Sequence, residues 1–111
     1  MRVIARVKGL GRSPTKVVPV VDVVRGKRAL DALQILKFMP SPAARDVAKV
    51  VKSAVANAEN NYRMPPDSLK IVAIEVDPGP MLRRFRPRSR GRVSPILRRT
   101  CHITVTVDEE A

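Results

Sequence analysis

The sequence predicts an α+β domain: a three-stranded antiparallel sheet packed against three helices, with a long protruding two-stranded β-hairpin. Three observations predict this class. Three separate segments have strand character: the first and the last alternate between hydrophobic and polar residues, and the one between them is rich in branched residues. Apolar residues recur at helical spacing between the first and second of these segments. The second and third segments are joined by roughly 20 arginine-rich residues without helical periodicity.

The chain opens with a strand and a helix. The strand is predicted over Arg2–Lys8, where small apolar residues alternate with basic ones, with Ile4 as the exception. Ser13 and Pro14 then indicate a helix start, because serine caps helices and proline suits the first helical position. The stretch Lys16–Lys27 contains six valines, which favour a strand, but its Arg-Gly-Lys end favours a helix terminated by glycine. We predict a short helix, although Pro19 removes one bond of its ladder.

Two further helices follow. The second is predicted over Arg28–Phe38, with an apolar stripe formed by Ala29, Leu30, Leu33 and Leu36. The third begins after a capping Ser41 and runs to about Asn61. Its apolar residues follow the three-and-four spacing: Val47, Val50, Val51, Ala54, Val55 and Ala58. At 1.5 Å per residue this helix is roughly 30 Å long.

The second half of the chain is predicted to be β-structure. Strands are expected over Leu69–Asp77 and Thr100–Val107, the latter with alternate residues facing opposite sides. Between them we place the hairpin, at about residues 78–99, with a turn signal at Arg88–Gly91. The acidic end, Asp108–Glu110, is interpreted as a solvated tail. The chain contains no internal repeat or linker, and residues 1–111 are predicted to form one domain.

Charge gives the strongest functional signal. The formal net charge is +12, and the stretch Pro80–Arg99 contains eight arginines and no acidic residue. Five of them stand at every second position, about 6.7 Å apart on one face of an extended chain: Arg84, Arg86, Arg88, Arg90 and Arg92. Such a row requires an anionic partner, and nucleic acid is the first candidate. Because aromatic residues are scarce, binding is expected to depend on phosphates and shape, with little base stacking.

No residue pattern in the sequence supports a catalytic or metal-binding site. Cys101 and His102 are adjacent on a strand and therefore point to opposite faces, so they cannot act as nucleophile and base. Glu75 and Asp77 share a strand face but are expected to meet arginines rather than a metal. No glycine-rich phosphate loop is present. We therefore predict no enzyme, no catalytic residue, no metal and no cofactor.

In order along the chain, several segments resemble the bacterial-type large-subunit ribosomal protein twenty-two family, whose long hairpin lines the peptide exit tunnel. The segments are Ser13-Pro14, Lys16, Asp22, Arg25-Gly26-Lys27, SAVANAENN (Ser53 to Asn61), Gly79-Pro80, RRFRPRSRGR (Arg83 to Arg92) and ILRRTCHITVTV (Ile96 to Val107). The resemblance covers nearly the whole chain, and the last two segments are long enough to be specific.

This resemblance implies a structural protein that binds large-subunit ribosomal RNA, supports assembly and lines the exit tunnel. The RNA-binding residues would be Lys16, Arg25, Lys27, Lys52, Asn57, Asn60, Arg83, Arg84, Arg86, Arg98 and Arg99. The hairpin tip facing the tunnel and the nascent peptide would be Arg88, Ser89, Arg90, Gly91 and Arg92. Ser53, Asn57 and Asn60 form a polar strip on the third helix, for which plain solvent exposure is an equal alternative to RNA contact.

The expected partners are the RNA, neighbouring ribosomal proteins and the nascent peptide. We expect no membrane association and no homo-oligomer, and a location on cytoplasmic or organellar ribosomes. A free-standing basic regulator that binds DNA or RNA is the alternative. It is weakened because the sequence lacks a helix-turn-helix and a dimerising heptad repeat.

Overall fold

The computed structural model describes residues 2–80, 82–87 and 93–109, and the side chains of residues 2–80 and 99–109. Within this part the elements are, in chain order, β1 (Val3–Leu10), α1 (Pro14–Val24), α2 (Ala29–Phe38), α3 (Pro42–Tyr62), a short 3-10 turn (Pro66–Ser68), β2 (Leu69–Pro78), β3 (Leu82–Pro87), β4 (Val93–Arg98) and β5 (Cys101–Glu109). The predicted α+β architecture is confirmed.

β5 is the central strand of the main sheet, which has the order β1-β5-β2 with both pairs antiparallel. Val105 pairs with Ala5 on one side and with Ile74 on the other, and all three side chains are buried. The helices cover this face, since α3 packs on β1 and β5 while α1 packs on β2. The alternation predicted for β5 is confirmed, because its other face carries only half-buried residues.

α1 is helical throughout, despite its valines and its internal Pro19. Four of the valines lie on one side and are buried, namely Val17, Val20, Val21 and Val24. Burial of this stripe against β2 outweighs the strand preference of valine and the ladder bond lost at Pro19. Gly26 follows the helix with a φ of +77°, a left-handed conformation that glycine adopts without steric cost. The helix end predicted at this glycine is confirmed.

Ser13 and Ser41 occupy the predicted N-cap positions of α1 and α3, but neither side chain makes a capping hydrogen bond. The prediction of hydroxyl caps was wrong. The Ser13 hydroxyl is instead 2.8 Å from the Thr15 hydroxyl. The carbonyl oxygens of Ser13 and Ser41 accept bonds from the N–H groups of Lys16 and Ala44, which satisfies one donor in each first turn.

The apolar stripe of α3 is buried as predicted, from Val47 to Ala58. The stripe of α2 differs from the prediction, because Leu30 is 39% exposed whereas Ala32 is fully buried. α2 packs against α3, as well as against α1 and β2. The acidic end also differs, because Asp108 and Glu109 extend β5 and pair with Lys70 and Leu69 of β2.

β3 and β4 form the predicted hairpin as a separate two-stranded antiparallel sheet. Their register runs from Leu82 opposite Arg98 to Pro87 opposite Val93. The molecule is elongated, with extents of 64 × 26 × 17 Å, which agrees with a hairpin that projects from the helix-covered sheet. The predicted turn at Arg88–Gly91 lies outside the described residues.

Candidate nucleic-acid interface

The hairpin is joined to the main sheet by two closely bonded chain segments. The N–H of Gly79 donates to the carbonyl oxygen of Thr100 at 2.9 Å, and the Thr100 hydroxyl donates to the carbonyl oxygen of Pro80 at 2.7 Å. Thr100 is the one buried polar residue among the described side chains. These bonds hold the two strands entering the hairpin side by side, so the direction of the hairpin is set at its base.

Position 79 of this junction requires glycine, because there is no room for a side chain. A Cβ atom there would lie 2.5 Å from the Thr100 hydroxyl oxygen and 3.1 Å from Cε1 of His102. Sequence reasoning did not assign a role to Thr100. The only signal was the Gly79-Pro80 pair directly before the arginine-rich stretch.

Four of the predicted arginines of the hairpin arms lie within β3 and β4. Arg84 and Arg86 are two residues apart in β3, so their positions belong to one face of the hairpin, whereas Arg83 belongs to the other. Arg98 pairs with Leu82 and therefore shares the face of Arg84. Arg99 follows β4 and is exposed. The predicted tip residues lie outside the described part of the chain: Arg88, Ser89, Arg90, Gly91 and Arg92.

The predicted basic residues of α1 lie at its two ends. Lys16 is in the first turn, and Arg25 follows the last residue, about 14 Å away along the axis. Arg25 is 3.3 Å from the Asp22 carboxylate in a largely exposed pair, which contributes little to stability and leaves other guanidinium donors available. The Lys27 carbonyl accepts from the N–H of Ile71, which ties this end of α1 to β2. The structure therefore presents two basic sites on α1 rather than one cluster.

α3 carries a basic outer face that sequence reasoning identified only in part. Arg45, Lys49 and Lys52 are exposed and follow the four-and-three spacing that places residues on one side of a helix. Lys52 was predicted as an RNA contact, but Arg45 was missed. Its spacing from the two lysines was the available signal. None of the three makes an ion pair within the described residues.

Asn57 and Asn60 do not share one environment. Asn60 is exposed, on the side of α3 that carries Lys49, since eleven residues amount to about three helical turns. Asn57 is half-buried and lines a pocket against β1, together with Ile4. The polar strip predicted on α3 is therefore divided between an open surface and a pocket.

The loop between β1 and α1 is fixed to α3 by an ion pair. Nε of Arg12 donates to the Asp46 carboxylate, which is only 17% exposed. This contact holds the N-terminal end of α1, and with it Lys16, beside the basic face of α3. One of the α3 carboxylates is thereby occupied by a cation of the protein itself.

Cys101 and His102 point to opposite faces of the sheet, as predicted. The Cys101 thiol is fully buried, and burial raises its pKa, with the negative charge of Asp46 acting in the same direction. Nδ1 of His102 accepts a 2.9 Å hydrogen bond from the Gly9 N–H on the other side. The thiol therefore has neither the lowered pKa nor the adjacent base that a nucleophile needs.

Among the residues that the structure describes, no group of three or more His, Cys, Asp or Glu side chains is arranged so that it could hold a metal ion. In the same residues, no helix combines the length and the apolar character needed to cross a membrane.

Comparison with known proteins identifies the family of this chain. The profile of the family described as ribosomal protein L22p/L17e matches residues 5–108. A large ribosomal subunit protein uL22 from Dehalococcoides mccartyi is 56% identical over 107 residues, covering 96% of this chain and 98% of that protein. The protein of the same name from Herpetosiphon aurantiacus is 49% identical over 109 residues, covering 98% and 96%. That from Desulfitobacterium hafniense is 54% identical over 98 residues, covering 88% and 86%. The chain belongs to the ribosomal protein L22p/L17e family.

Proposed function

We propose that this chain binds large-subunit ribosomal RNA along two basic surfaces, the arms of the hairpin and the outer faces of α1 and α3. As a member of its family it is a structural, non-enzymatic protein of the large ribosomal subunit. One observation carries the proposal. The arginines of β3 and β4 stand on a sheet of their own, with no acidic residue between Asp77 and Asp108 to neutralise them.

Arginine suits this role because its planar guanidinium group can donate two parallel bonds to a phosphate group. Arg84, Arg86 and Arg98 stand on one face of the hairpin and Arg83 on the other, so RNA could be bound on both sides. An isolated two-stranded hairpin is only marginally stable in water. Contacts with RNA on both faces would therefore stabilise the arms.

The body would contribute a second surface. The predicted contacts on it are Lys16, Arg25, Lys27, Lys52, Asn57 and Asn60, and the structure adds Arg45 and Lys49. Because Arg12 bonds to Asp46, the start of α1 is held near the basic face of α3. Lys16 and Lys49 could therefore contact one RNA segment together.

The hairpin tip would line the nascent-peptide exit tunnel and contact the emerging chain. This part rests on the family resemblance of the segment from Arg83 to Arg92. We also expect contacts with neighbouring ribosomal proteins, a location on cytoplasmic ribosomes, and no homo-oligomer. A photoreactive side chain at position 90 should cross-link to nascent peptides in translating ribosomes, whereas one at position 99, at the hairpin base, should not. Cross-links from position 90 to RNA alone would contradict the tunnel-lining role.

Sedimentation tests the main proposal. The tagged chain, expressed in bacterial cells, should migrate with the large subunit in a sucrose gradient. Replacement of Arg83, Arg84 and Arg86 by alanine should shift a fraction of it to the top of the gradient. Lys37→Ala, on the exposed side of α2, is the matched control for loss of a positive charge. A wild-type chain that sediments free of the subunit would refute the proposal and support the free-standing regulator.

A further inference from the structure

A pocket of about 340 Å³ lies where the start of β1 meets the C-terminal half of α3. Its walls are formed by Arg2, Val3, Ile4, Asn57, Asn61 and Tyr62. This volume is at the lower end of the range for pockets that bind small molecules. A depression of this size can hold one flat group.

The fold creates this pocket at an edge of the sheet. β1 is an edge strand, so along its outer side one row of backbone N–H and C=O groups lacks a partner strand. Val3 points inward and is buried, whereas Ile4 points to the opposite side and is 52% exposed. Asn57 and Asn61 are four residues apart and so lie one turn apart on the same side of α3.

The pocket walls combine an aromatic ring, an apolar surface and two amides. The ring of Tyr62 is at the end of α3 and is 50% exposed. The side-chain amides of Asn57 and Asn61 make no hydrogen bond with any residue that the structure describes. Each amide offers two donor hydrogens and one acceptor oxygen. A flat partner with its own donors and acceptors along one edge would satisfy them.

We propose that this pocket binds a single unpaired nucleobase of ribosomal RNA, stacked on Tyr62 and hydrogen-bonded by Asn57 and Asn61. The inference rests on the proposed RNA-binding function and adds a base-recognition site to it. Unpaired bases are recognised in this way elsewhere, by stacking on aromatic rings and by hydrogen bonds to their edges. The proposed site is one exception to the expectation that base stacking contributes little. That expectation was based on the small number of aromatic residues in the chain.

The lining of the pocket matches a base better than a phosphate. Arg2 is the one cation among the residues that line it. The aromatic ring and the two amides match the flat face and the polar edge of a base.

Chemical probing of ribosomal RNA bound to the full chain tests the site. Base-specific reagents that modify Watson–Crick edges should show one unpaired base that the wild-type protein protects. Asn57→Ala, Asn61→Ala and Tyr62→Ala should each restore reactivity at that base and leave the other protected positions unchanged. Tyr62→Ala should weaken binding about tenfold, as expected for loss of one stacked base.

Two variants serve as controls. Tyr62→Phe keeps the ring and should keep the protection. Gln34→Ala removes an exposed amide from α2, outside the pocket, and should change nothing. Asn57, Asn61 and Tyr62 do not belong to the buried core, so circular dichroism melts of the pocket variants should match the wild type.

The remaining outcomes separate this inference from the proposed function. If the three pocket variants bind RNA with the wild-type footprint and affinity, the nucleobase site is refuted and the RNA-binding function stands. If the wild-type chain does not bind ribosomal RNA, the proposed function itself fails. Ultraviolet cross-links from Tyr62 to a base would support the site. Cross-links from a photoreactive group at position 62 to a ribosomal protein would refute the nucleobase and assign the pocket to a protein partner.

Discussion

Gly9 and His102 are joined by a hydrogen bond of 2.9 Å, in which the Gly9 backbone N–H donates to Nδ1 of the imidazole. The bond connects β1 to β5 at the irregular pairing between Val7 and Leu10, where Gly9 has a φ of +69°. Because Nδ1 accepts, the proton of the neutral ring is on Nε2. The ring also lies against Gly79, so one side chain contacts both the irregular end of β1 and the base of the hairpin.

The first prediction concerns this bond. His102→Ala leaves the Gly9 N–H without its acceptor and should lower the free energy of unfolding by roughly 0.5–1.5 kcal/mol. His102→Asn should recover part of the loss, because the Asn oxygen can occupy the position of Nδ1. His102→Gln should not, since its oxygen reaches further along the side chain. Urea unfolding of the three variants measures the effect, and equal stability of the Asn and Gln variants would contradict the assigned acceptor.

The second prediction concerns Gly79. Gly79→Ala places a methyl group 2.5 Å from the Thr100 hydroxyl oxygen and should destabilise the protein by about 1–3 kcal/mol. In a Thr100→Ala background the clash with the hydroxyl is removed, so Gly79→Ala should lower the free energy of unfolding by a smaller amount. Gly11→Ala is the control, because a Cβ there meets no atom within 4 Å. Thermal unfolding measures these losses of stability. If the losses caused by Gly79→Ala and Thr100→Ala simply add in the double variant, the Thr100 hydroxyl is not the obstacle.

The third prediction concerns pH and Cys101. Burial raises the pKa of this thiol in the folded protein, so unfolding lowers it toward the ordinary value of about 8.5. The thiol therefore contributes stability that is fully present below that value and is lost as the pH rises through the raised folded pKa. The difference in unfolding free energy between wild type and Cys101→Ala should shrink between neutral and alkaline pH. A difference that stays constant would contradict the raised pKa.

Alkylation supplies an independent measurement of the same thiol. Iodoacetamide should modify Cys101 slowly in the folded protein and rapidly in urea, because the buried thiol is reached only after opening. Fast modification without denaturant would show that the β5 face under α3 is open to solvent.

The fourth prediction concerns the hairpin arginines. Binding of ribosomal RNA should weaken with salt, and each lost phosphate contact should reduce the logarithmic slope by about 0.7–0.9. Replacement of Arg84 and Arg86 by alanine should therefore reduce the slope by roughly 1.5. Lys37→Ala should leave it unchanged. Filter binding over a range of salt concentrations measures the slope, and an unaltered slope in the double variant would exclude these arginines from phosphate contact.

Much of the fold could be predicted because the relevant signals are periodic. The buried stripe of α3 and the alternation of β5 appear in the sequence as spacings of three or four and of two residues. The helix in the valine-rich segment was harder, because valine favours a strand and Pro19 opposes a helix. Gly26, at the end of this segment, was the signal that correctly indicated a helix.

The errors share a different origin. The hydroxyls of Ser13 and Ser41 were expected to cap helices, but backbone carbonyls satisfy the first turns instead. Leu30 was placed on the apolar stripe of α2, but it is 39% exposed, whereas Ala32 is fully buried. Asp108 was assigned to a tail, although β2 extends far enough to pair with it. Each outcome depends on a partner that is distant in sequence or on a choice between nearly equivalent bonds.

The sequence alone determined the fold class, the family and the arginine-rich hairpin, because periodicity, ordered motifs and local charge are properties of neighbouring residues. Only the tertiary structure decided how these parts are joined. It brought Gly9 to His102 and Gly79 to Thr100, and it separated Asn57 in its pocket from Asn60 on the open surface. Such contacts depend on strand register and helix packing, which bring together distant residues such as Gly9 and His102, 93 positions apart.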